Sequence, residues 1–238
     1  MSTLYLVPTP IADAPPAFAL PAGTLEVLQR LEIFIVENAK TARAVLKLAH
    51  HPRPIQSVQM LTLSEHTRSE DMQALLAPLL AGSDVGLMSE AGCPGVADPG
   101  AALVRLAHQH NIRVVPLVGP SALLLALMGS GMNGQRFAFH GYLPANAAER
   151  LEAIKKLDAQ SQRLDETELF IETPYRNGAL FQALLSACRD STLLSIASGL
   201  MESDAELYTT TIIEWRQRGW EAPKRPTVFL LYAGLPKN

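Results

Sequence analysis

The stretch of sequence that decides the fold is Ser89-Glu-Ala-Gly-Cys-Pro-Gly-Val-Ala-Asp-Pro-Gly100, which lies between an apolar run at 85–88 and a helix-like segment at 101–107. Glycine lets the backbone approach a ligand closely, and proline stiffens a loop before binding. An ordinary strand-to-helix connection of about 2–6 residues needs no such density of both. Ligands bind outside the carboxyl ends of strands in open α/β sheets, so this loop predicts a binding site.

Four further apolar runs in the first half of the chain precede polar or proline-rich segments. They are residues 3–7, 33–36, 57–63 and 112–116, with helix-like segments between most of them. This alternation predicts an α/β fold with a mostly parallel five-stranded sheet and flanking helices. In such a sheet the loops at 8–11, 37–41, 64–68, 89–100 and 119–122 share one face. We therefore expect these loops to form one site.

The apolar pattern lapses at 129–134, where glycine and asparagine crowd together. We interpret this segment as a linker and expect two domains, residues 1–133 with the parallel sheet and residues 134–238 with a mixed α/β sheet. The apolar helix at 122–128 is expected in a core, with a dimer interface as the alternative. The proline-rich segment 12–23 predicts an irregular loop.

The bulk composition excludes several classes of protein. The 238-residue chain carries a formal net charge of −3, so a nucleic-acid partner would need a local basic patch. Its two cysteines, Cys93 and Cys188, lack metal-ligand spacing, and the histidines form no ligand motif, so we expect no metal. Neither a signal sequence nor an apolar run of about 20 residues is present, and we expect a soluble, cytoplasmic protein.

Standard nucleotide and hydrolase motifs are also missing from the sequence. No G-x-G-x-x-G follows the first strand, and no G-x-x-x-x-G-K-[ST] occurs anywhere. A G-x-S-x-G nucleophile elbow is absent as well. These absences argue against a Rossmann dinucleotide site, a P-loop hydrolase and an α/β-hydrolase.

Six motifs nevertheless occur in the order in which the tetrapyrrole methylase superfamily carries them. They are Val7-Pro-Thr-Pro-Ile11, Glu37-Asn-Ala-Lys40, Ser64-Glu-His66, Ser89 to Gly100, Val118-Gly-Pro-Ser-Ala122 and Phe170-Ile-Glu-Thr-Pro-Tyr-Arg176. Within that superfamily the chain most resembles the branch that methylates a cytidine ribose 2′-hydroxyl in small-subunit ribosomal RNA. The resemblance covers nearly the whole chain. It implies two α/β domains, S-adenosylmethionine in the cleft that the second domain closes, and a homodimer.

The resemblance also implies individual site residues. The cofactor contacts would be Pro8, Gly92, Cys93, Val96, Ser121 and Ala122 from the first domain, and Glu172 and Thr227 from the second. Methyl transfer to a ribose hydroxyl also requires removal of its proton, and a general base assists such a step by about 10²–10⁴. Charged or ionisable residues follow the predicted strands at Glu37, Lys40, Glu65, His66 and Glu90. Glu37 and His66 are the first candidates for this base, and a helix cap or loop hydrogen bond is the alternative for each.

The substrate loops depart from the family more than the cofactor loops do. The family usually has Glu-Asp-Thr-Arg where this chain has Glu37-Asn-Ala-Lys40, so a potential base and a bidentate guanidinium are lost. The family has a basic stretch where segment 143–150 of this chain is nearly neutral, and it has Arg-Glu-Leu-Thr-Lys around the position of segment 198–203. Methylation of a tetrapyrrole or other small molecule therefore stays open beside ribosomal RNA. So does a cofactor-binding homologue with weakened catalysis.

Overall fold

The computed structural model describes residues 2–13, 16–64 and 66–234, and the chain divides into two compact units between Ser121 and Ala122. The strands of the first unit are β1 (Thr3–Val7), β2 (Ile33–Val36), β3 (Gln59–Thr62), β4 (Val85–Met88) and β5 (Arg113–Pro116). Its helices are α1 (Pro16–Ala19), α2 (Ala22–Arg30), α3 (Ala39–Leu48), α4 (Ser69–Leu75), α5 (Ala77–Leu80) and α6 (Gly100–Gln109). A short 3-10 helix covers Ile55–Ser57.

The first unit is built on a parallel sheet with the strand order β3-β2-β4-β1-β5. Leu6 of β1 pairs with Leu87 of β4 on one side and with Pro116 of β5 on the other. All five strands run in the same direction, so their carboxyl ends lie along one edge. The predicted parallel sheet is confirmed, and the loops after β1 and β4 leave it from neighbouring strands.

Alternating side chains of this sheet enter two cores, one on each face. Ile35 and Leu87 belong to a cluster with Leu103 of α6. Phe34 belongs to a second cluster, with Leu46 of α3. Because both faces are covered by helices, the strands are apolar on both sides, as buried parallel strands require.

The prediction of an irregular loop over 12–23 is wrong for part of that segment. Helix α1 begins at Pro16, and α2 begins at Ala22 directly after Pro21. Proline lacks a backbone N–H, but the first N–H groups of a helix have no partner within the helix. Proline at the start of a helix is therefore compatible with the structure, and the proline content alone misled the prediction.

The second unit holds a mixed sheet. Its strands are β6 (Phe137–Tyr142), β7 (Thr167–Glu172), β8 (Leu193–Ser198), β9 (Glu206–Thr211) and β10 (Thr227–Tyr232). Its helices are α7 (Ala122–Ser130), α8 (Ala147–Leu164), α9 (Asn177–Ala187) and α10 (Ile212–Arg218). The strand order is β6-β7-β10-β8-β9, in which only the β6–β7 pair is parallel. The expected mixed α/β sheet is therefore present.

Helix α7 belongs to the second unit, which moves the division between units ahead of the predicted linker at 129–134. Ala126 and Leu127 are buried in a cluster with Val228 and Leu230 of β10. This helix is apolar on every side, so a sheet face has to cover part of its surface. One side still faces outward, and Met128 is 80% exposed.

Candidate functional site

The long loop at 89–100 is fastened to the loop that follows β1. Thr9 donates its backbone N–H to the Gly92 carbonyl at 2.9 Å, and the Gly92 N–H donates to the Thr9 carbonyl at 3.1 Å. Thr9 is fully buried, and its hydroxyl donates to the Ser89 carbonyl at 3.3 Å. Gly92 has φ +76°, a conformation that glycine adopts without strain. The two loops therefore form one rigid wall.

Asp98 fixes the far end of the same loop. One carboxylate oxygen accepts the backbone N–H groups of Gly95 at 2.7 Å and Gly100 at 2.9 Å. Gly100 opens α6, so Asp98 ties the loop to the first turn of that helix. Between these anchors the Val96 side chain is 50% exposed. A predicted contact residue is thus presented outward on a loop whose backbone is held at both ends.

The loop after β5 packs against the other two. A Cβ on Gly119 would lie 2.3 Å from Pro8 Cβ, so only glycine fits at this approach. The Cys93 thiol donates to the Pro120 carbonyl at 3.4 Å. Burial raises the pKa of the Cys93 thiol, and the Asp98 carboxylate raises it further, so the thiol is neutral at neutral pH.

The structure thus brings three of the predicted cofactor residues, Pro8, Gly92 and Cys93, into connected loops of the first unit. Ser121 follows Pro120 and is the last residue of that unit. Ala122 begins α7 and belongs to the second unit. The loops after β1, β4 and β5 therefore converge as the sequence predicts.

Glu37, a predicted base, connects two of the strand-end loops. Its carboxylate accepts the backbone N–H of Glu90 at 3.0 Å. The Thr41 hydroxyl lies 3.4 Å from the Glu90 carboxylate, so the first turn of α3 adjoins the 89–100 loop. The loop hydrogen bond that was the alternative reading of Glu37 is therefore present. One carboxylate oxygen of Glu37, Oε2, holds the loop.

His66, the other predicted base, has an exposed side chain after β3. Its backbone N–H donates to the Ser64 hydroxyl at 3.3 Å, which makes a local turn. Glu65 lies outside the described residues. Asn38 caps α3, since its side chain accepts the Lys40 N–H at 2.9 Å. The aspartate-to-asparagine change that the sequence shows at this position therefore preserves a capping acceptor.

In the second unit, the predicted residues Glu172 and Thr227 lie in one row across the sheet. Thr227 of β10 is in register with Glu172 of β7 on one side and with Ser198 of β8 on the other. The Thr227 hydroxyl donates to the Ser198 hydroxyl at 3.0 Å and accepts from the Asn177 amide at 3.1 Å. Glu172 and Thr227 are 3% and 2% exposed. Both side chains are therefore engaged inside the second unit.

The buried Glu172 carboxylate is paired with Arg176. Arg176 Nη2 lies 2.8 Å from the Glu172 carboxylate, and Thr173 donates its backbone N–H to the same oxygen at 2.6 Å. The sequence Glu-Thr-Pro-Tyr-Arg thus folds into a turn closed by its own ion pair. This ion pair fixes the backbone that follows β7.

The three connected loops of the first unit fit a positively charged sulfonium better than a phosphate. Segments 8–11, 89–100 and 117–121 contain no lysine or arginine, and the carboxylates of Glu90 and Asp98 lie among them. Backbone amides, carbonyls and small side chains suit the amino-acid end of S-adenosylmethionine. A phosphate would instead call for basic residues or a helix N-terminus with free N–H groups. The donor set present is therefore compatible with the cofactor that the family resemblance implies.

Sequence reasoning missed two residues that build this wall, Thr9 and Asp98. The flanking prolines were a usable signal, because Thr9 is the only residue in Pro8-Thr9-Pro10 with a backbone N–H to donate. Asp98-Pro-Gly100 was another signal, since aspartate shortly before a helix often accepts backbone N–H groups.

The described part of the chain shows neither a cluster of metal-ligating side chains nor a membrane-spanning helix. Among residues 2–13, 16–64 and 66–234, no group of three or more histidine, cysteine, aspartate or glutamate side chains is placed to hold a metal ion. No described helix combines the length and apolarity that a membrane span needs.

Solved structures share this architecture. A uroporphyrin-III-C-methyltransferase of Thermus thermophilus superposes with a TM-score of 0.59, covering 98% of this chain and 95% of its own, at 16% sequence identity. A second structure, of the native form of that organism's enzyme, gives a TM-score of 0.60. At this identity the likeness concerns the fold.

Curated relatives are closer in sequence. Ribosomal RNA small subunit methyltransferase I of Vibrio cholerae is 33% identical, over 96% of this chain and 76% of the relative. The protein of that name from Mesorhizobium japonicum is 34% identical, over 88% of this chain and 67% of the relative. That from Escherichia coli O157:H7 is 32% identical over 84% of this chain, and the match spans 66% of the relative's length.

The family model for tetrapyrrole (corrin/porphyrin) methylases matches residues 3–215, which covers both sheets except β10. The strand order, the three connected loops and the relatives agree with that match. This chain belongs to the tetrapyrrole methylase family.

Proposed function

We propose that the protein is an S-adenosylmethionine-dependent methyltransferase that modifies a ribose 2′-hydroxyl in small-subunit ribosomal RNA. The observation that carries this proposal is the braced loop 89–100, joined to the loops after β1 and β5 at the carboxyl edge of the first sheet. The family match supports the methyl transfer, and the names of the relatives support the RNA substrate.

When bound, S-adenosylmethionine supplies an activated methyl group on its sulfonium. In this proposal Gly92 and Cys93 present backbone to the amino-acid end of the cofactor, and Pro8 closes the wall behind them. The remaining proposed contacts are Val96, Ser121 and Ala122. For the second unit we propose that Thr227 and Glu172 contribute through the backbone that their buried hydrogen bonds hold.

Positioning is the main work left to the protein. Holding a hydroxyl in line with the methyl group can lower the activation barrier by roughly 7–11 kcal/mol. The three connected loops suit this task, because hydrogen bonds fix the 89–100 loop along its length. Glu37 and His66 are the proposed acceptors of the hydroxyl proton. Of the two, Glu37 is better held, because its carboxylate is oriented by the Glu90 N–H.

A homodimer in the cytoplasm completes the proposal, on the resemblance to the family alone. Sedimentation velocity of the purified protein would test the oligomeric state. A single species of about one chain mass would overturn the dimer.

The experiment that tests the function is a transfer assay. An extract from a strain lacking this protein is incubated with purified protein and S-adenosylmethionine labelled in the methyl group. The proposal expects the label in small-subunit ribosomal RNA, as a 2′-O-methylated nucleoside after digestion. Label in a small-molecule fraction would favour the tetrapyrrole-type substrate. Cofactor binding without any transfer would favour a homologue with weakened catalysis.

A further inference from the structure

Helix α3 carries basic side chains and no acidic ones. Its sequence, Ala39–Leu48, contains Lys40, Arg43 and Lys47, and all three side chains are exposed. At 100° per residue these positions fall within about 60° of arc, and they extend for about 10 Å along the helix. The opposite side of α3 is apolar and enters the core through Ala42 and Leu46. We call the three basic residues the α3 stripe.

The α3 stripe is uncompensated within the described residues. Of the lysines and arginines there, the following lie within ion-pair distance of a carboxylate: Arg30, Arg53, Arg68, Arg136, Lys155, Arg176, Arg189, Arg216 and Arg225. No member of the stripe forms such a pair in this part of the chain. An excess of three positive charges on one helix contrasts with the net charge of −3 of the whole chain.

Lys40 also stands at an unfavourable position for the stability of the helix. It lies in the first turn of α3, where the positive end of the helix dipole disfavours a cation by about 0.3–1 kcal/mol. The helix dipole therefore does not favour a lysine there. A negatively charged partner outside the chain would add a favourable interaction that offsets this cost.

We propose that the α3 stripe binds the phosphodiester backbone of the RNA substrate. This inference rests on the proposed function and names the surface that receives the substrate. The first turn of α3 adjoins the 89–100 loop through Thr41 and Glu90, so the stripe starts beside the proposed cofactor loop and leads away from it. A strand of RNA carries one phosphate charge per nucleotide, so successive phosphates can each meet one cation of the α3 stripe.

The test measures how RNA affinity depends on salt. The full-length protein is compared with the triple variant Lys40→Gln/Arg43→Gln/Lys47→Gln, in which glutamine preserves helix propensity. A matched control removes three exposed basic side chains elsewhere, Arg105→Gln/Arg113→Gln/Arg163→Gln. Each protein is titrated into a fluorescent RNA stem–loop taken from small-subunit ribosomal RNA, at several KCl concentrations. Calorimetry with S-adenosylmethionine and circular dichroism are run on all three.

Each lost phosphate contact should lower the slope of log affinity against log salt by about 1, so we expect a decrease of about 3 for the stripe variant. The control variant should keep the wild-type slope, and all three proteins should bind the cofactor equally. The inference is overturned if the stripe variant keeps the wild-type slope or if the control loses as much. It is also overturned if, in a parallel titration, the stripe variant loses affinity for phosphatidylserine vesicles but not for the RNA. Failure of the wild-type protein to bind S-adenosylmethionine would instead refute the proposed function. The salt dependence of RNA affinity would still show whether the α3 stripe binds RNA.

Discussion

Substituting Gly119 by alanine tests whether the loops after β1 and β5 form one cofactor-binding wall. The new Cβ would lie 2.3 Å from Pro8 Cβ and 2.7 Å from Pro8 Cγ. Carbon atoms in contact sit about 3.5–4.0 Å apart, so the two loops must separate by roughly 1.2–1.7 Å. The proline ring has no alternative rotamer that could relieve the clash, so the backbone has to move.

Overpacking of this kind costs about 1–3 kcal/mol, and we expect the free energy of unfolding to fall by that amount. The displaced wall should also weaken S-adenosylmethionine binding by about tenfold, which corresponds to about 1.4 kcal/mol of lost contacts. Denaturant titration measures the stability change. Isothermal titration calorimetry on the folded variant measures the affinity.

Gly23→Ala is the matched control, because it makes the same chemical change in the same unit. Gly23 lies within α2, and nothing is found within 4 Å of the added Cβ. This variant should lose no stability and should bind the cofactor normally, because the added methyl group meets no other atom. The reasoning is refuted if Gly119→Ala loses stability as expected but binds S-adenosylmethionine with the wild-type affinity. The wall would then be structural only.

Three further predictions concern single side chains. Glu37→Gln keeps an acceptor for the Glu90 N–H but removes the charge, so methyl transfer should slow by about 10²-fold or more while cofactor affinity is unchanged; a wild-type rate would rule Glu37 out as the base. Because burial raises the pKa of Cys93, its alkylation by iodoacetamide should accelerate only above the pH expected for a free thiol, and bound cofactor should suppress it, as mass spectrometry of the modified peptide would show. Arg176→Met leaves the buried Glu172 carboxylate uncompensated and should cost about 3–5 kcal/mol in denaturant titration; a loss under 1 kcal/mol would contradict the assigned ion pair.

Much of the first sheet was predictable because its strands are short apolar runs bounded by loop residues. The runs at 3–7, 33–36 and 85–88 coincide with β1, β2 and β4. The parallel arrangement followed from the helices between them. The strand order required the structure, since β4 lies between β2 and β1 and apolar patterning does not specify neighbours.

The division between the two units was harder to predict from sequence. Glycine-rich segment 129–134 looks like a linker by composition, yet α7 before it already packs on the second sheet. The apolar sequence of α7 predicts that the helix is buried, but it does not predict which sheet covers it. Gly129 shows the consequence, because a Cβ there would lie 2.3 Å from Leu207 of β9. This glycine serves close packing of a helix on a strand.

The candidate site was predictable where it depends on the main chain and less so where it depends on side chains. The loops after β1, β4 and β5 were expected to converge because parallel strands end at one edge. The partners of Glu37 and Asp98 were not expected, since both accept backbone N–H groups whose positions only the folded loops define. The burial of Glu172 could not be predicted either, because its ion pair with Arg176 depends on the turn between the two residues.

Hydrogen–deuterium exchange with and without S-adenosylmethionine tests the central claim most directly. The claim is that the braced loop at 89–100, together with the loops after β1 and β5, receives the cofactor. Saturating cofactor should slow exchange in peptides covering 89–100 and 117–121, while peptides from the outer strand β9 should be unchanged. Cofactor binding by calorimetry with no slowing in either loop would contradict the account.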